Sequence, residues 1–450
     1  MTATELRASF ALAGIFGLRM LGMFIILPVF ALYAEQLRGG SDHTLIGLAL
    51  GAYGLTQALL QIPFGHLADR WGRKPTIYLG LVIFAVGSLV AALAQSIYMV
   101  ILGRVIQGAG AISAAVLALL ADLTREESRT KAMAIIGLTI GATFSLSMIL
   151  GPVLSRMIGV PGIFAMTGVA ALLAVAVVRW LVPNAARAVA QSNERGVRSM
   201  LSVFADGELA RLNLGIFVLH AVLMALFVVV PFSLRAGGMP SDEHWKVYLG
   251  VMLAAALLMA PPILIAERTG RHKQVFLGAI MGLLAAQAGL AYSSTWVGIA
   301  GSLLLFFAGF NYLEASLPAL ISRAAPVEAK GPALGVYSSV QFLGTFAGAT
   351  AGGFISQHLG AVWVFGFCAA MSVVWLAVAI GMRAPDANGT RTYNVPRMDA
   401  SRADGLSRRL AGVPGVREAM VLAAEGVAYL KVDSARFDEQ RVLDLIAGEI

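Results

Sequence analysis

Twelve apolar runs, each long enough to cross the ~30 Å hydrocarbon layer of a bilayer, occupy most of the first 382 residues. They fall near 9–33, 45–68, 75–94, 97–121, 132–155 and 160–182, then near 210–235, 246–266, 274–293, 296–322, 332–357 and 360–382. A backbone surrounded by lipid must satisfy its own hydrogen bonds, so runs of this composition and length are expected as helices. Joints as short as Ala94-Gln95-Ser96 and Ser293-Ser294-Thr295 make neighbouring runs antiparallel hairpins. Composition agrees: 58% of 450 residues are hydrophobic and 13% charged, more apolar surface than a soluble domain can cover. The fold class expected is an all-α membrane protein.

Lys and Arg set the orientation. With the N-terminus placed in the cytoplasm, the inner connections and flanks hold eighteen bases and the outer ones hold Arg38, Arg156, Arg235 and Lys246. That imbalance predicts a multi-pass protein of the cell's inner membrane with both termini cytoplasmic. The net charge of +8 is then topology, and no nucleic-acid partner is expected. One cysteine, Cys368, excludes an internal disulfide. The first run is too long for a signal-peptide core. No P-loop, metal-spaced His/Cys cluster or nucleophile elbow appears, so neither an enzyme nor a cofactor or metal is expected.

The densest polar signal between two runs is Gly65-His66-Leu67-Ala68-Asp69-Arg70-Trp71-Gly72-Arg73-Lys74. A basic cytoplasmic loop explains Arg70, Arg73 and Lys74, but not Asp69 or the paired glycines. Glu267-Arg268-Thr269-Gly270-Arg271-His272-Lys273 answers it at an offset of 198, and Leu154-Ser155, Gly159 and Phe164 are answered by Ile355-Ser356, Gly360 and Phe365 at an offset of 201. The stretch resembles the loop between helices 2 and 3 of the major facilitator superfamily, Gly-x-Leu-Ala-Asp-Arg-x-Gly-Arg-Lys. Leu102-Gly103-Arg104-Val105-Ile106-Gln107-Gly108 resembles the family's second motif. The antiporter motif of the fifth helix is only partly met: Gly141 and Gly151-Pro152 are present, but Ser147 and Ser155 replace glycines. The resemblance implies two six-helix halves, residues 1–182 and 209–383, joined by a cytoplasmic linker, 183–208, and enclosing a central cavity. It also implies that the loop, through Asp69, holds the outward-open state.

A charge inside a membrane helix costs roughly 2.5–3.5 kcal/mol on the insertion scale, so each asks for a reason. Four stand out: Arg19, Arg104, His220 and Glu314, in the first, fourth, seventh and tenth runs. In the family these are the cavity-lining helices. Glu314 lies nine residues before Arg323 and His220 nine after Arg211. At 1.5 Å per residue both lie roughly 13 Å deep, so they can face each other. Glu314, His220 and Arg104 are the proton-coupling candidates, with a neutral hydrogen-bonded pair as the alternative for the first two. Phe217, His220, Met224 and Phe227 share one helix face, as do Phe307, Asn311 and Glu314. With Arg19, Tyr53, Gln57, Gln107, Tyr337 and Gln341 they outline a cavity for bulky amphipathic molecules; plain packing explains the aromatic stripes equally well.

After Arg383 the pattern turns soluble. Residues 384–450 read as strand, helix, strand, strand, helix, a truncated ferredoxin-like α/β order. Val413-Pro414-Gly415-Val416 and Ala428-Tyr429-Leu430-Lys431-Val432-Asp433 resemble the YAM domain that ends one branch of the superfamily. The function expected is proton-coupled secondary transport, an exporter of small amphipathic or drug-like compounds, working as a monomer on a small-molecule substrate and protons in membrane lipid. A metabolite symporter or uniporter, or a sensor signalling through its tail, remain alternatives.

Overall fold

A computed structural model describes residues 1–184, 206–326, 330–382, 388–396, 398–423, 426–433 and 436–448. The helices are α1 Ala3–Phe24, α2 Leu27–Ala34, α3 His43–Trp71, α4 Arg73–Ala92, α5 Ile97–Ala109, α6 Ser113–Leu123 and α7 Glu126–Trp180. They continue with α8 Gly207–Ala236, α9 His244–Thr269, α10 His272–Tyr292, α11 Trp296–Ala324, α12 Lys330–Leu359 and α13 Ala361–Ile380. Among the described residues, ten segments are long and apolar enough to span a membrane. The one covering residues 131–180 folds back at Gly159, whose φ of 71° only glycine adopts without strain, and so crosses twice. The remaining crossing is α12, rich in Gly, Ser and Thr and held between α3 and α8. Twelve crossings result. Trp71, Trp180, Tyr98, Tyr292 and Trp363 stand exposed at helix ends, the aromatic girdle of a bilayer-spanning protein.

Two crossings are broken in ways hydropathy cannot show. The first stops at Ile25-Ile26 and restarts as α2 with Pro28 in its opening turn, where a missing N–H costs nothing. The fourth breaks between Ala109 and Ser113.

The end of the bundle that carries the N-terminus and the Gly65–Lys74 loop is here the motif face, and the opposite end the far face. On the motif face the last turns are tied by cations, as helix C-terminal dipoles favour. Lys74 Nζ donates to Val182 O at 2.6 Å, and Lys273 Nζ donates to Ile380 O and Met382 O at 2.7 Å. The structural counterpart of Lys74 is thus Lys273, one residue beyond the position an offset of 198 assigns. Arg7 and Arg211 repeat the theme on Leu181 O and Gly381 O.

The halves are joined by backbone-close packing. A Cβ added to Gly47, Gly51 or Gly54 of α3 would collide with α12 at Ala349, Phe346 or Phe342. Within the second half, Gly344, Gly348 and Gly352 of α12 sit on Phe217, Ala221 and Ala225 of α8, the same four-residue step on both helices. Small residues allow such approach without a hydrophobic driving force. The interhalf contacts of α3 lie in its far-face portion. There His43 stacks on Phe232 at 4.9 Å and meets Ser356 Oγ at 2.7 Å, while Arg235 pairs with Glu35 at 2.8 Å. The far face is closed.

The C-terminal residues form β1 Asn388–Asn394, α14 Ala400–Ala411, β2 Val416–Leu422, β3 Val427–Asp433 and α15 Glu439–Ala447. The strand order is β1-β3-β2, antiparallel throughout, with a bulge between Val416 and Glu418. Leu406, Leu410, Leu430, Val432, Val442 and Ile446 form its own core. Tyr393 donates to Glu439 at 2.9 Å; partial burial, then that carboxylate, push its hydroxyl up to about 12.

Candidate functional site

Glu314 sits mid-way along α11, where α8 and α12 converge on it. Gln341 of α12 connects the acid to His220 of α8: its Nε2 lies 2.8 Å from His220 Nε2 and donates to Glu314 Oε1 at 3.2 Å. His220 Nε2 is itself 3.8 Å from Glu314 Oε2. His220 is 1% exposed and the Glu314 side chain 28%. Glu314 Oε2, His220 Nδ1 and the Tyr337 hydroxyl have no hydrogen-bond partner among the described residues. The site therefore holds a carboxylate with Oε1 engaged by Gln341 and a buried Oε2 facing the His220 ring.

Aromatic rings close the site on its far-face side. Phe144 contacts Phe24, Phe307 and Phe310 at 5.0, 6.0 and 5.4 Å, and Phe310 lies 6.0 Å from the His220 ring. Phe24 and Phe144 belong to the first half, Phe307 and Phe310 to the second. Phe217 and Asn311 are half-buried, and the Phe217 backbone packs on Gly344.

The first half carries a separate polar knot centred on Tyr53. Arg19 donates to Ser113 Oγ at 2.8 Å, to the Tyr53 hydroxyl at 3.2 Å and to Gln57 Oε1. Arg104 lies over the Tyr53 ring at 4.7 Å and donates to Gln107 Oε1 at 2.6 Å and Gly22 O at 3.3 Å. Gln107 in turn donates to Ser88 at 2.8 Å. Arg19, Arg104, Tyr53, Gln57 and Gln107 are all buried to 2% exposure or less, so in this conformation they bond one another rather than line an open cavity. No carboxylate pairs with either guanidinium among the described residues. Tyr53 also meets Phe342 of α12 at 6.4 Å, which carries the knot to the interhalf boundary.

On the motif face Arg73 holds both Asp69 and, at 3.2 Å, Asp122 of α6. Gly65, Arg70, Gly72 and Lys74 lie around this pair. In the second half Arg268 and Arg271 are exposed, and the Glu267 side chain lies outside those described. Gln341, Ser88, Ser113 and the rings Phe24, Phe144 and Phe310 complete the two clusters. Of these, only Gln341 is marked in the sequence, as a polar group on a membrane run.

The Major Facilitator Superfamily profile matches residues 12–266 and 244–403. The chain belongs to the Major Facilitator Superfamily. It is 44% identical over 437 residues to the inner membrane transport protein YajR of Escherichia coli, covering 96% of each. It is 26% identical over 354 residues to the multidrug resistance protein MdtH of Aeromonas hydrophila, covering 75% of this chain and 85% of that one. Among solved structures, a bacterial homologue of the human lysosomal transporter Spinster superposes with a TM-score of 0.69 at 15% identity, over 84% of this chain and 97% of that one. A superfamily member of this architecture is a multi-pass inner-membrane transporter of small molecules, not an enzyme. Its two halves flank the Glu314 site.

Proposed function

We propose that the protein is a proton-coupled exporter of small amphipathic, drug-like compounds, with the motif face and both termini in the cytoplasm. Glu314 carries the reading. It is an acid within a membrane helix, next to a cluster of aromatic rings, with one oxygen lacking a hydrogen-bond partner among the described residues. Loading Glu314 with a proton removes the site's negative charge while its Oε1 bond to Gln341 can persist. A substrate carrying positive charge and a proton then compete for one carboxylate, which is the requirement for exchange. The two guanidiniums do not satisfy this role, since each is engaged inside the first half. The name of the multidrug resistance relative and the aromatic lining support the amphipathic cargo.

Alternating access follows from the packing. The far face is closed by Glu35–Arg235, His43–Ser356 and the α3–α12 seam, all between halves. Opening it requires those contacts to part and new ones to form on the motif face, where the Asp69 loop is proposed to act as the latch. Glu314→Gln tests the coupling role because it keeps shape and hydrogen bonding but cannot titrate. In proteoliposomes the variant should lose uphill movement driven by a pH gradient while retaining substrate counterflow. Uphill flux at the parent rate would remove Glu314 from the coupling step.

A further inference from the structure

A cavity of about 220 Å³ lies on the motif face between α9, α10, α11 and α13. It is unconnected with the Glu314 site by helix geometry. Tyr312, Ser316, Ala319 and Arg323 of α11 line it, spaced 4, 3 and 4, on one face. At 100° per residue Glu314 points about 200° away from Tyr312. The cavity therefore opens behind the helix that carries the transport acid.

Its walls divide by chemistry. The interior is apolar: Ile263, Phe276, Leu320, Ala379 and Met382. The mouth carries His272, Lys273 and Arg323, in the first turn of α10 and the last turn of α11. No carboxylate lines the cavity among the described residues. Lys273 spends two of its protons on Ile380 O and Met382 O, and an ammonium has three. Ser316 donates back to Tyr312 O, so the hydroxyl on this wall is engaged within its own helix. Ala315 and Ala319 are exposed, so the opening is reached from outside the bundle.

We propose that this cavity binds an acidic membrane phospholipid, with its phosphate at His272, Lys273 and Arg323 and the first carbons of one acyl chain against Phe276 and Leu320. Three observations select that ligand class. Two cations beside an imidazole, without a described acid, favour an anion; an apolar interior favours a chain attached to it; and the level of the mouth, within one turn of two helix ends, is the head-group level. Basic pockets between membrane helices recognise acidic head groups by this combination. A freely diffusing phosphate would use the mouth but leave the apolar interior unfilled.

Native mass spectrometry of the detergent-purified full chain tests the assignment. Phosphatidylglycerol, phosphatidylcholine and inorganic phosphate are titrated separately. The parent should hold one phosphatidylglycerol in preference to phosphatidylcholine. Arg323→Gln and His272→Gln should each weaken it about fivefold, as expected for one basic contact at a membrane surface. Arg323→Lys should stay within about twofold of the parent. Ala319→Leu, which fills the cavity and leaves the bases in place, should weaken it by a similar factor. Three results overturn the proposal: equal retention of phosphatidylcholine, displacement of the lipid by an equal concentration of inorganic phosphate, or unchanged binding in Arg323→Gln and Ala319→Leu together.

Discussion

Gln341 holds apart and also connects the two ionisable side chains of the second half, and a carboxamide suits that place because it is neutral and has two donors and an acceptor. Gln341→Leu should leave Glu314 Oε1 and His220 Nε2 without their partner. An unmade buried bond costs about 1–3 kcal/mol, so pH-driven flux should fall by roughly tenfold or more with insertion unchanged. Flux at the parent rate in proteoliposomes would show that the bridge is dispensable. His220 and Glu314 were legible as charges where lipid penalises charge, and their matched depth placed them together. Phe24, Phe144 and Phe310 were not, because an aromatic ring facing a cavity and one facing a helix neighbour have the same sequence pattern. Tyr53, Gln57 and Gln107 read as cavity groups; the structure spends them on Arg19 and Arg104, and only three-dimensional contacts distinguish those uses.

Among elements, the far ends of α2 and α8 are linked by Glu35 and Arg235, one residue past α2 and within the last turn of α8. Arg235 holds the Glu35 carboxyl below its usual range, chiefly through their hydrogen bonds. A carboxyl depressed in this way contributes to the closed far face above the ordinary carboxylate range, and the contribution is lost as pH falls through its lowered value. The contribution of this pair should therefore be flat with pH from neutrality to mildly acidic and should weaken only in strong acid. Both side chains are partly exposed, so the pair is worth about 1 kcal/mol or less. Glu35→Gln should raise labelling of a cysteine introduced on the far-face part of α3 by up to about fivefold, and Glu35→Arg with Arg235→Glu should restore it. No change in Glu35→Gln would assign closure to the α3–α12 seam alone. The twelve runs were legible because lipid imposes length and apolarity on every crossing. The breaks at Ile25-Ile26 and between Ala109 and Ser113 were hidden, since a helix interruption inside protein changes no hydropathy. Pro28 and the Gly108/Gly110 pair were the available signals. The tail strands Val416–Leu422 and Val427–Asp433 were clear from alternation, and the first strand of the expected order runs from Asn388 to Asn394.

For the whole molecule, the closed far face leaves Asp69 exposed and engaged only by Arg73 among the described residues. If the loop is the latch of the opposite state, Asp69→Asn should favour the closed far face and slow transport about tenfold or more, with normal insertion. Parent-like flux would make the loop a topological feature alone. The two halves follow from the repeat, which the paired cations at Lys74 and Lys273 reproduce in space. Every connection on the far face is short: residues 35–42, 93–96 and 237–243, the three residues 293–295, and the single glycines Gly159 and Gly360. Whatever compartment that face meets, a protease there finds almost no chain to bind, because cleavage needs several residues in extended form. Sealed vesicles of one known orientation should accordingly be cut from one side only, that of the motif face. Fragments from the opposite side would reverse the topology proposed from Lys and Arg. The same shortness makes the far face a poor target for any binder that must grip a loop, so agents acting from that side would have to enter between the halves.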